Sequence, residues 1–428
     1  MFFQPRHIVF PVNTPVCVAL APVGPVAVAE ADTYELKIEA YSGLRRYSAK
    51  KSGRPFDESR FAFFETAHEM AKTSSSLQLD VFFPQEDRWL CTVLRNGEKL
   101  EQFEVCSLEE DLFRLTPYKG DNHMHTCFSD GRESPEYRAA NCCRRAYDYC
   151  VITDHHCYSS SVRAKENFDK LNIPYLVIPG EEIHSPGNLV HIINMGGNAG
   201  VTEWYKEDPE GYENAVKARM ATIDEPMSEG DKWMAAASLE VFDRIHERGG
   251  VAIVCHPHWV LQGKLQHHED VTNYLFDHKT FDVFELIAGG AFEEGTQLQI
   301  AFYHDQPAMP VVGSSDTHQL VGGRLEPGNY TIAFAEELSP EAICSAVRKG
   351  TCVAGIENKF WGDYRLVKYA YFLSANVFPQ HDKNQAALGD QLLFHVSSGM
   401  PEGGSRIEKM QAIPGMTEYF DSLRWKAE

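Results

Sequence analysis

From Tyr118 onward the sequence alternates short apolar runs with helix-like segments, and this alternation restricts the fold more than any other feature. Such a pattern is typical of an α/β fold built on a parallel sheet or barrel. The candidate strands are Gly120–His125, Tyr149–Thr153, Tyr175–Pro179, His191–Met195, Val251–Cys255, Asp282–Ile287 and Pro310–Gly313. The candidate helices are Pro135–Ala146, Ser238–Arg248 and Pro340–Lys349. The sequence therefore predicts an α/β domain over residues 117–356.

The residues on either side of this domain have different patterns. Residues 1–116 favour β structure, because Tyr34 to Ala40 alternates apolar with charged side chains and Asn96-Gly97 between two apolar runs is a type I′ hairpin signal. We expect a small, sandwich-like domain there. The polar residues 201–238 are expected to form a helical insertion, and residues 357–428 form a C-terminal extension of unassigned role.

Histidines and carboxylates recur where the apolar runs of the α/β domain begin or end. On a strand, His123 and His125 would face the same side, as two imidazole ligands of one ion must, and Asp130 follows on the next loop. The other groups so placed are Asp154, His155, His156, Glu181, Glu182, His191, His256, His258, Asp316 and His318. In a parallel barrel the strand ends and the loops after them form one face. These groups can therefore converge although they are far apart in sequence.

Each of these residues alone would be an ordinary histidine, a turn residue or a solvated acid, but together they indicate a metal site. Acidic side chains are rarely buried unless they are paired or bind a metal ion. Imidazole and carboxylate ligands are compatible with Zn, Mn or Fe. About nine candidate ligands exceed the three or four that one ion requires. The sequence therefore predicts two or three divalent ions that share a bridging carboxylate and activate water.

The ordered set of motifs resembles the polymerase and histidinol phosphatase (PHP) family over roughly residues 118–355. The motifs are His123-x-His125 with Ser129-Asp130-Gly131, Thr153-Asp154-His155, Gly180-x-Glu182, His191, His256-Pro257 and Ser315-Asp316-x-His318. The β-rich N-terminal part and the lead-in Tyr118-Lys119-Gly120-Asp121 are similar to the branch named for carbaryl hydrolase. The resemblance implies a distorted seven-stranded (β/α) barrel with a trinuclear metal site.

The resemblance also implies which residues hold the ions. The implied metal ligands are His123, His125, Asp130, His155, Glu182, His191, His256, Asp316 and His318. Glu182, rather than Glu181, matches the bridging carboxylate. Many members of the family have histidine where this chain has Asp130, a difference that could alter the occupancy or identity of one ion.

The function that these motifs imply is hydrolysis of a phosphomonoester by water activated between metal ions. The groups expected to act in catalysis are Glu182, Asp316, Asp154 and His258. Asp154, His258 or His156 would transfer protons or orient the ligands. Arg132, Arg324 and His156 are candidates for contacting the substrate, the two arginines because a phosphate needs cationic partners.

Two other readings remain open. The same metal site could hydrolyse a carbamate, an ester or an amide, as the similarity to the carbaryl-hydrolase branch suggests. Alternatively, the chain could be a metal-stabilised binding module without activity, although all the expected ligand positions are filled. Cys255 and Cys157 adjoin histidines of the motifs, but buried structural thiols explain them better than nucleophiles do.

Charge and cysteine usage bear on partners and compartment. The net charge of −21 argues against nucleic acid and anionic membranes, while leaving an anionic small-molecule substrate acceptable at a metal site. The 11 cysteines, without a Cys-x-x-Cys pair, are expected to be reduced thiols of a cytoplasmic protein. The apolar stretch from Pro15 to Ala31 is interrupted by prolines, so we expect a β-strand there rather than a signal peptide.

Overall fold

The computed structural model describes residues 2–42, 67–289, 293–306, 308–319 and 328–427. The chain divides into two compact units. The first contains Met1–Leu115, Ala375–Val377 and Thr417–Glu428, and the second contains Thr116–Ser374 and Phe378–Met416. The predicted C-terminal extension is thus shared between the two units.

The first unit is built from two β-sheets. Its strands are β1 (Phe3–Pro5), β2 (Val9–Pro11), β3 (Pro15–Pro22), β4 (Tyr34–Ala40), β5 (His68–Glu69), β6 (Ala71–Lys72), β7 (Leu77–Phe82), β8 (Asp87–Arg95) and β9 (Glu98–Leu108), followed by the short helix α1 (Glu110–Phe113). One sheet has the order β1-β3-β7-β6, and the other has the order β2-β9-β8-β4-β5. The apolar stretch that begins at Pro15 therefore starts with a strand, as expected.

Local sequence signals explain this unit well. Strand β4 alternates buried and half-buried residues along its whole length, which confirms the half-buried strand. Asn96 and Gly97 both have positive φ values, 53° and 79°, and Arg95 pairs with Glu98 across the hairpin, which confirms the type I′ turn. The ring of Phe3 in one sheet lies 5.7 Å from that of Tyr34 in the other, an edge contact that joins the two sheets.

The second unit contains two mixed sheets and a small hairpin. Its strands are β10 (Thr116–Asp121), β11 (Tyr149–Val151), β12 (Leu176–Ile178), β13 (Gly180–Ile183), β14 (Ile192–Met195), β15 (Val251–Val254), β16 (Val260–Leu261), β17 (Lys264–Leu265), β18 (Val283–Ala288), β19 (Val311–Ser314), β20 (Asn329–Ala335), β21 (Cys352–Ile356) and β22 (Lys359–Gly362). The orders of the larger sheets are β12-β11-β10-β20-β21-β22 and β13-β14-β15-β18-β19.

Strand pairing in these sheets is only partly parallel. Strands β10, β11 and β12 pair in parallel, as do β15, β18 and β19, whereas β20 to β22 and β13 to β15 pair antiparallel. All seven predicted strands are present, although β10 ends at Asp121 rather than at His125. The chain is therefore a mixed α/β protein, and the closed seven-stranded barrel remains a prediction.

The remaining helices differ in how they begin: some start at a serine or aspartate whose side chain caps the first turn, and others have no side-chain cap. They are α2 (Pro135–Arg144), α3 (Ser159–Asp169), α4 (Thr202–Glu207), α5 (Pro209–Met220), α6 (Glu229–Glu247), α7 (Glu269–His278), α8 (Glu293–Asp305), α9 (Pro340–Arg348), α10 (Tyr364–Asn376), α11 (Phe378–Ser397), α12 (Ser405–Gln411) and α13 (Met416–Leu423). Ser134 and Ser339 accept hydrogen bonds from the first turns of α2 and α9, and both helices have proline in the first turn. The predicted insertion, residues 201–238, contains α4, α5 and the first half of α6.

Helix α11 is fixed to the second unit by buried polar contacts. His381 Nε2 lies 2.6 Å from Asp148 Oδ1, and the side-chain amide of Gln385 donates to the carbonyl oxygen of Tyr147 at 3.0 Å. Gly389, one helical turn further, faces α2 so closely that a Cβ atom would collide with the backbone of Arg144. The close approach of the two helices therefore requires glycine at this position.

Within the described ranges, no helix combines the length and apolar character that a membrane crossing requires. All 11 cysteines lie in described segments, and each is a free thiol.

Replacing Gly389 with alanine tests the contact between α2 and α11. The added methyl group has no space, so we expect the free energy of unfolding to fall by about 1–3 kcal/mol. Gly230, also helical, is the matched control, because the nearest atom to its added Cβ would be Ser228 Oγ at 3.9 Å. Gly230→Ala should leave stability unchanged or raise it by up to about 1 kcal/mol. Equal unfolding curves in urea for the two variants would contradict the close packing.

Candidate metal centre

Glu182 lies at the centre of the candidate site. Strand β13 carries it, and its side chain is fully buried. Its Oε2 atom lies 3.0 Å from His123 Nε2, 3.2 Å from His125 Nε2 and 3.0 Å from His155 Nδ1. Its Oε1 atom lies 2.8 Å from His191 Nδ1, 3.3 Å from His184 Nε2 and 3.6 Å from His256 Nε2. One carboxylate therefore faces six imidazoles, three on each oxygen.

Two aspartates complete the cluster. Asp316 Oδ1 lies 3.1 Å from His125 Nε2 and 3.3 Å from His123 Nε2. Asp130 approaches His155 Nε2 at 3.5 Å with one oxygen and His318 Nε2 at 3.3 Å with the other. The structure thus brings together all nine residues that the sequence predicted as ligands.

The ligand atoms fall into overlapping groups, each compact enough for one ion. Within a group the atoms lie within 4.8 Å of one another. Groups of this kind include His123, His125 and Asp316; Glu182, His191 and His256; His155, Glu182 and His184; and His125, Asp130, His155 and His318. Three such positions around one shared carboxylate are the arrangement expected of a multinuclear metal site.

The backbone holds the ligands in an unusual conformation. Met124 forms an isolated parallel bridge with Thr317, so His123 and His125 extend in register with the segment of Asp316 although β10 has already ended. His256 and Asp316 have positive φ values of 25° and 48°. A left-handed conformation costs a non-glycine residue about 1–3 kcal/mol and persists where the surroundings impose it, commonly at functional sites.

The loop of Asp130 is fixed by Asp154. Asp154 Oδ1 accepts hydrogen bonds from the Thr126 backbone N–H at 2.6 Å and from the Ser129 hydroxyl at 2.7 Å. Gly131 packs against the same loop, because a Cβ there would lie 2.6 Å from the carbonyl oxygen of His125. Asp154 is fully buried, and these hydrogen bonds hold the loop that carries Asp130. The catalytic or orienting role predicted for Asp154 stays a prediction.

A buried glutamate orients the first histidine. Glu285 Oε1 lies 2.8 Å from His123 Nδ1, and its other oxygen accepts the backbone N–H of His256 at 3.1 Å. An acceptor at Nδ1 favours the tautomer whose Nε2 is free to bind an ion. Sequence reasoning missed Glu285, although one acid inside the apolar strand Val283–Ala288 was a visible signal.

Sequence reasoning also missed His184. It follows Glu182 by two residues, the same spacing that identified His123 and His125, and its ring stacks on His191 with centroids 3.6 Å apart. About 24% of its side chain is exposed, so it lies at the solvent side of the cluster. The prediction treated Glu182 only as the end of a strand and did not extend the alternation to the next residue on the same side.

The predicted substrate and proton-transfer residues lie around the cluster rather than within it. His156 Nδ1 is 2.9 Å from the Tyr205 hydroxyl, and burial together with neighbouring His184 lowers the pKa of His156 to about 4. His258 is buried against Phe302, and burial lowers its pKa.

Only one of the two predicted arginines lies within the described residues. Arg132 is exposed on the ligand loop, and its backbone N–H donates to the carbonyl oxygen of His318 at 3.0 Å. Arg324 lies outside the described residues. The phosphate-binding role of both arginines stays a prediction.

Electrostatics within the cluster favour ionised carboxylates. Burial alone would raise the pKa of Glu182, but His123 and His191 outweigh it and hold that pKa well below its ordinary value. The pKa of Asp316 is lowered in the same way, chiefly by His123. Burial would lower the pKa of His125, yet its hydrogen bonds to Asp316 and Glu182 raise it to about 9. The protein thus maintains anionic oxygens at positions where a cation would be bound.

Several ligand atoms lack the hydrogen bonds that buried polar atoms normally make. Among the described residues, Glu182 Oε1, His155 Nδ1, His184 Nε2 and His191 Nδ1 are buried and make no hydrogen bond of normal geometry, although the carboxylate lies 2.8–3.3 Å from the three nitrogens. Leaving a buried polar atom unsatisfied costs about 1–3 kcal/mol. A metal ion between these atoms would satisfy them together. The residues present therefore fit a metal centre.

Known proteins are similar to parts of this chain. No family model matches the chain. The DNA polymerase/3'-5' exonuclease PolX of Bacillus subtilis (strain 168) is 39% identical over 61 residues, which are 14% of this chain and 11% of that protein. The match therefore spans a small part of either protein.

Three solved structures are similar at low identity. A two-domain protein from Bacteroides vulgatus with a predicted PHP-like metal-dependent phosphoesterase shares 21% identity at a TM-score of 0.44, covering 61% of this chain and 71% of that one. A Bifidobacterium adolescentis structure described as a metal-dependent phosphoesterase shares 18% identity at a TM-score of 0.35, covering 48% and 92%. An amidohydrolase from Chromobacterium violaceum shares 17% identity at a TM-score of 0.33, covering 47% and 87%. Two of these three structures are described as PHP-like or metal-dependent phosphoesterases. The carbaryl-hydrolase branch stays a prediction.

Proposed function

We propose that this chain is a metal-dependent hydrolase of phosphomonoesters. The observation that carries the proposal is the buried carboxylate of Glu182, which has three imidazole nitrogens around each of its oxygens. Such a carboxylate can bridge ions on its two sides. Two or three ions of Zn, Mn or Fe fit these imidazole and carboxylate ligands.

The nine predicted ligands divide naturally among three positions. His123, His125 and Asp316 would hold one ion on the Oε2 side of Glu182, and His191 with His256 would hold a second on the Oε1 side. The third would lie among Asp130, His155 and His318. Bound divalent ions supply acidified water and neutralise charge on the oxygens of a substrate.

The charge of the centre favours an anionic substrate. Glu182, Asp316, Asp130 and the adjoining Glu285 contribute four negative charges, whereas three divalent ions contribute six positive charges. The loaded centre would thus be cationic, and a phosphomonoester dianion would compensate it better than a neutral carbamate, ester or amide. This balance is the reason for preferring the phosphomonoester over the alternative bonds.

Helix α4 of the insertion supplies polar groups beside the centre. Lys206 Nζ donates to the carbonyl oxygen of His156 at 2.9 Å, and the Tyr205 hydroxyl contacts the ring of the same histidine. In the proposal, His156 and Lys206 contact the substrate, with Arg132 and Arg324 as further candidates. His258 remains a candidate for proton transfer, whereas Asp154 positions the ligand loop.

Replacing Glu182 with glutamine tests the bridging role. The amide keeps the volume but loses the charge, so we expect loss of bound ions and a fall in turnover of at least about a hundredfold. Metal analysis and a panel of phosphomonoesters, aryl esters and carbamates would measure both. The matched control is Glu181→Gln, since Glu181 belongs to the same strand but accepts hydrogen bonds from Asn194 and Val201. Turnover confined to the esters or carbamates would replace the phosphomonoester with the alternative substrate class.

Metal affinity should depend on pH. Because the pKa of His125 is raised to about 9 in the ion-free protein, its ring is protonated at neutral pH and must lose that proton to bind an ion. Apparent affinity should therefore rise with pH up to about pH 9, by about tenfold per pH unit for each proton that binding displaces, and fall as the pH is lowered. Isothermal titration in buffers of different ionisation enthalpy would detect the released proton. Equal affinity at pH 6.5 and 8.5 would argue against this competition.

Glu285 is not a predicted ligand, but it should influence metal affinity by orienting the ring of His123. Glu285→Gln replaces a carboxylate partner of His123 by an amide, and we expect metal affinity to fall about 10–100-fold. Glu136→Gln is the control, because Glu136 is a buried carboxylate that pairs with Arg163 instead. Chelator competition measures the affinities, and thermal melting of the ion-free variants verifies folding. If both variants bind metal alike, Glu285 does not position His123.

A further inference from the structure

Among the described residues, His184 is the one histidine facing Glu182 that lies outside the nine assigned above. Strand β13 ends at Ile183, and His184 continues on the same side as Glu182. Its Nε2 atom points to Glu182 Oε1 at 3.3 Å, yet among the described residues that nitrogen has no hydrogen-bond partner. A ring nitrogen that is buried, unsatisfied and directed at a carboxylate oxygen has the properties of a ligand atom.

The distances from Glu182 Oε1 to three imidazole nitrogens are close to the spacing of ligand atoms around one ion, and the ligand atom of His184 also lies within 4.8 Å of those of Glu182 and His155. With bonds of about 2.0–2.1 Å, two ligand atoms of a tetrahedral zinc ion lie about 3.3 Å apart. The nitrogens of His191, His184 and His256 lie 2.8, 3.3 and 3.6 Å from that oxygen, values that bracket this spacing. An ion surrounded by this oxygen and these three nitrogens would have four protein ligands.

The packing of the ring also supports a fixed role. His184 stacks on His191 with an interplanar angle of 22° and lies 4.4 Å from the ring of His155. These contacts hold the ring over the centre, although its outer edge reaches solvent. A surface histidine without a role would be free to turn its nitrogens toward water.

We propose that His184 is itself a metal ligand, binding through Nε2 the ion on the Oε1 side of Glu182 together with His191 and His256. The proposal rests on the proposed function only in requiring that the centre holds metal, and not on the substrate. Three imidazoles and one carboxylate form a closed ligand set suited to Zn²⁺. The ion on this side would therefore be held more tightly than one with three protein ligands.

The test compares His184→Asn with His156→Asn. Asparagine is polar but a poor ligand for zinc. His156 is the control because its ring lies 5.2 Å from that of His184 but its Nδ1 is hydrogen bonded to Tyr205. Zinc stoichiometry and chelator competition would give the affinity of each ion. The visible spectrum of the Co²⁺-loaded protein would report the ligands directly. Melting of the ion-free proteins would show that both variants fold, with His184→Gln as the second variant if the first does not.

We expect His184→Asn to weaken one ion about tenfold or more and to change the Co²⁺ spectrum, while His156→Asn binds metal like the original chain. Wild-type affinity and an unchanged spectrum in a folded His184 variant would overturn the proposal. The two proposals can fail separately. If the original chain hydrolyses no phosphomonoester but the His184 variant binds metal more weakly, the ligand role of His184 stands and the proposed function fails. If the original chain hydrolyses phosphomonoesters but the variant binds metal normally, the ligand role alone fails.

Discussion

The interaction on which the rest of the structure depends is the contact of one buried carboxylate, Glu182, with imidazoles from five separate segments. A carboxylate without partners would be too costly to bury, and six histidines in one cluster would repel one another when protonated. The imidazoles therefore stabilise the buried carboxylate, and the carboxylate reduces the repulsion among the protonated imidazoles. Because the segments come from strands and loops far apart in sequence, the centre also connects both sheets of the second unit. The arrangement explains why so many polar groups lie where the fold would otherwise place an apolar core.

The surrounding residues keep this cluster in a form that can accept cations. Glu285 fixes the tautomer of His123, and Asp154 fixes the loop that carries Asp130. The left-handed conformations of His256 and Asp316 show that the ligand segments are not in their preferred state. That strain must be offset by the packed strands around it, which are buried along their whole length. Stability of the sheets and geometry of the centre are thus linked.

The sequence predicted much of this because its signals are local. Strands, caps and the Asn96-Gly97 turn depend on neighbouring residues, and the ligand motifs lie at the ends of those strands. Long-range pairing is not encoded in this way. The antiparallel partners of β10 and β14 could not be read from apolar runs, because a buried strand has the same pattern whichever direction its neighbour takes. Glu285 and His184 were missed for a different reason, since each became meaningful only when the opposing side chains were known.

Strand β13 shows how the centre and the insertion are coupled. Its two glutamates point to opposite sides, as successive strand residues must. Glu182 faces the histidines, whereas Glu181 accepts a hydrogen bond from the backbone N–H of Val201, immediately before α4. Helix α4 returns to the centre through the contact of Tyr205 with His156. The insertion is therefore attached on both sides of the metal cluster without supplying a ligand. Changes in the insertion would therefore alter the surface beside the cluster while leaving the predicted ligands in place.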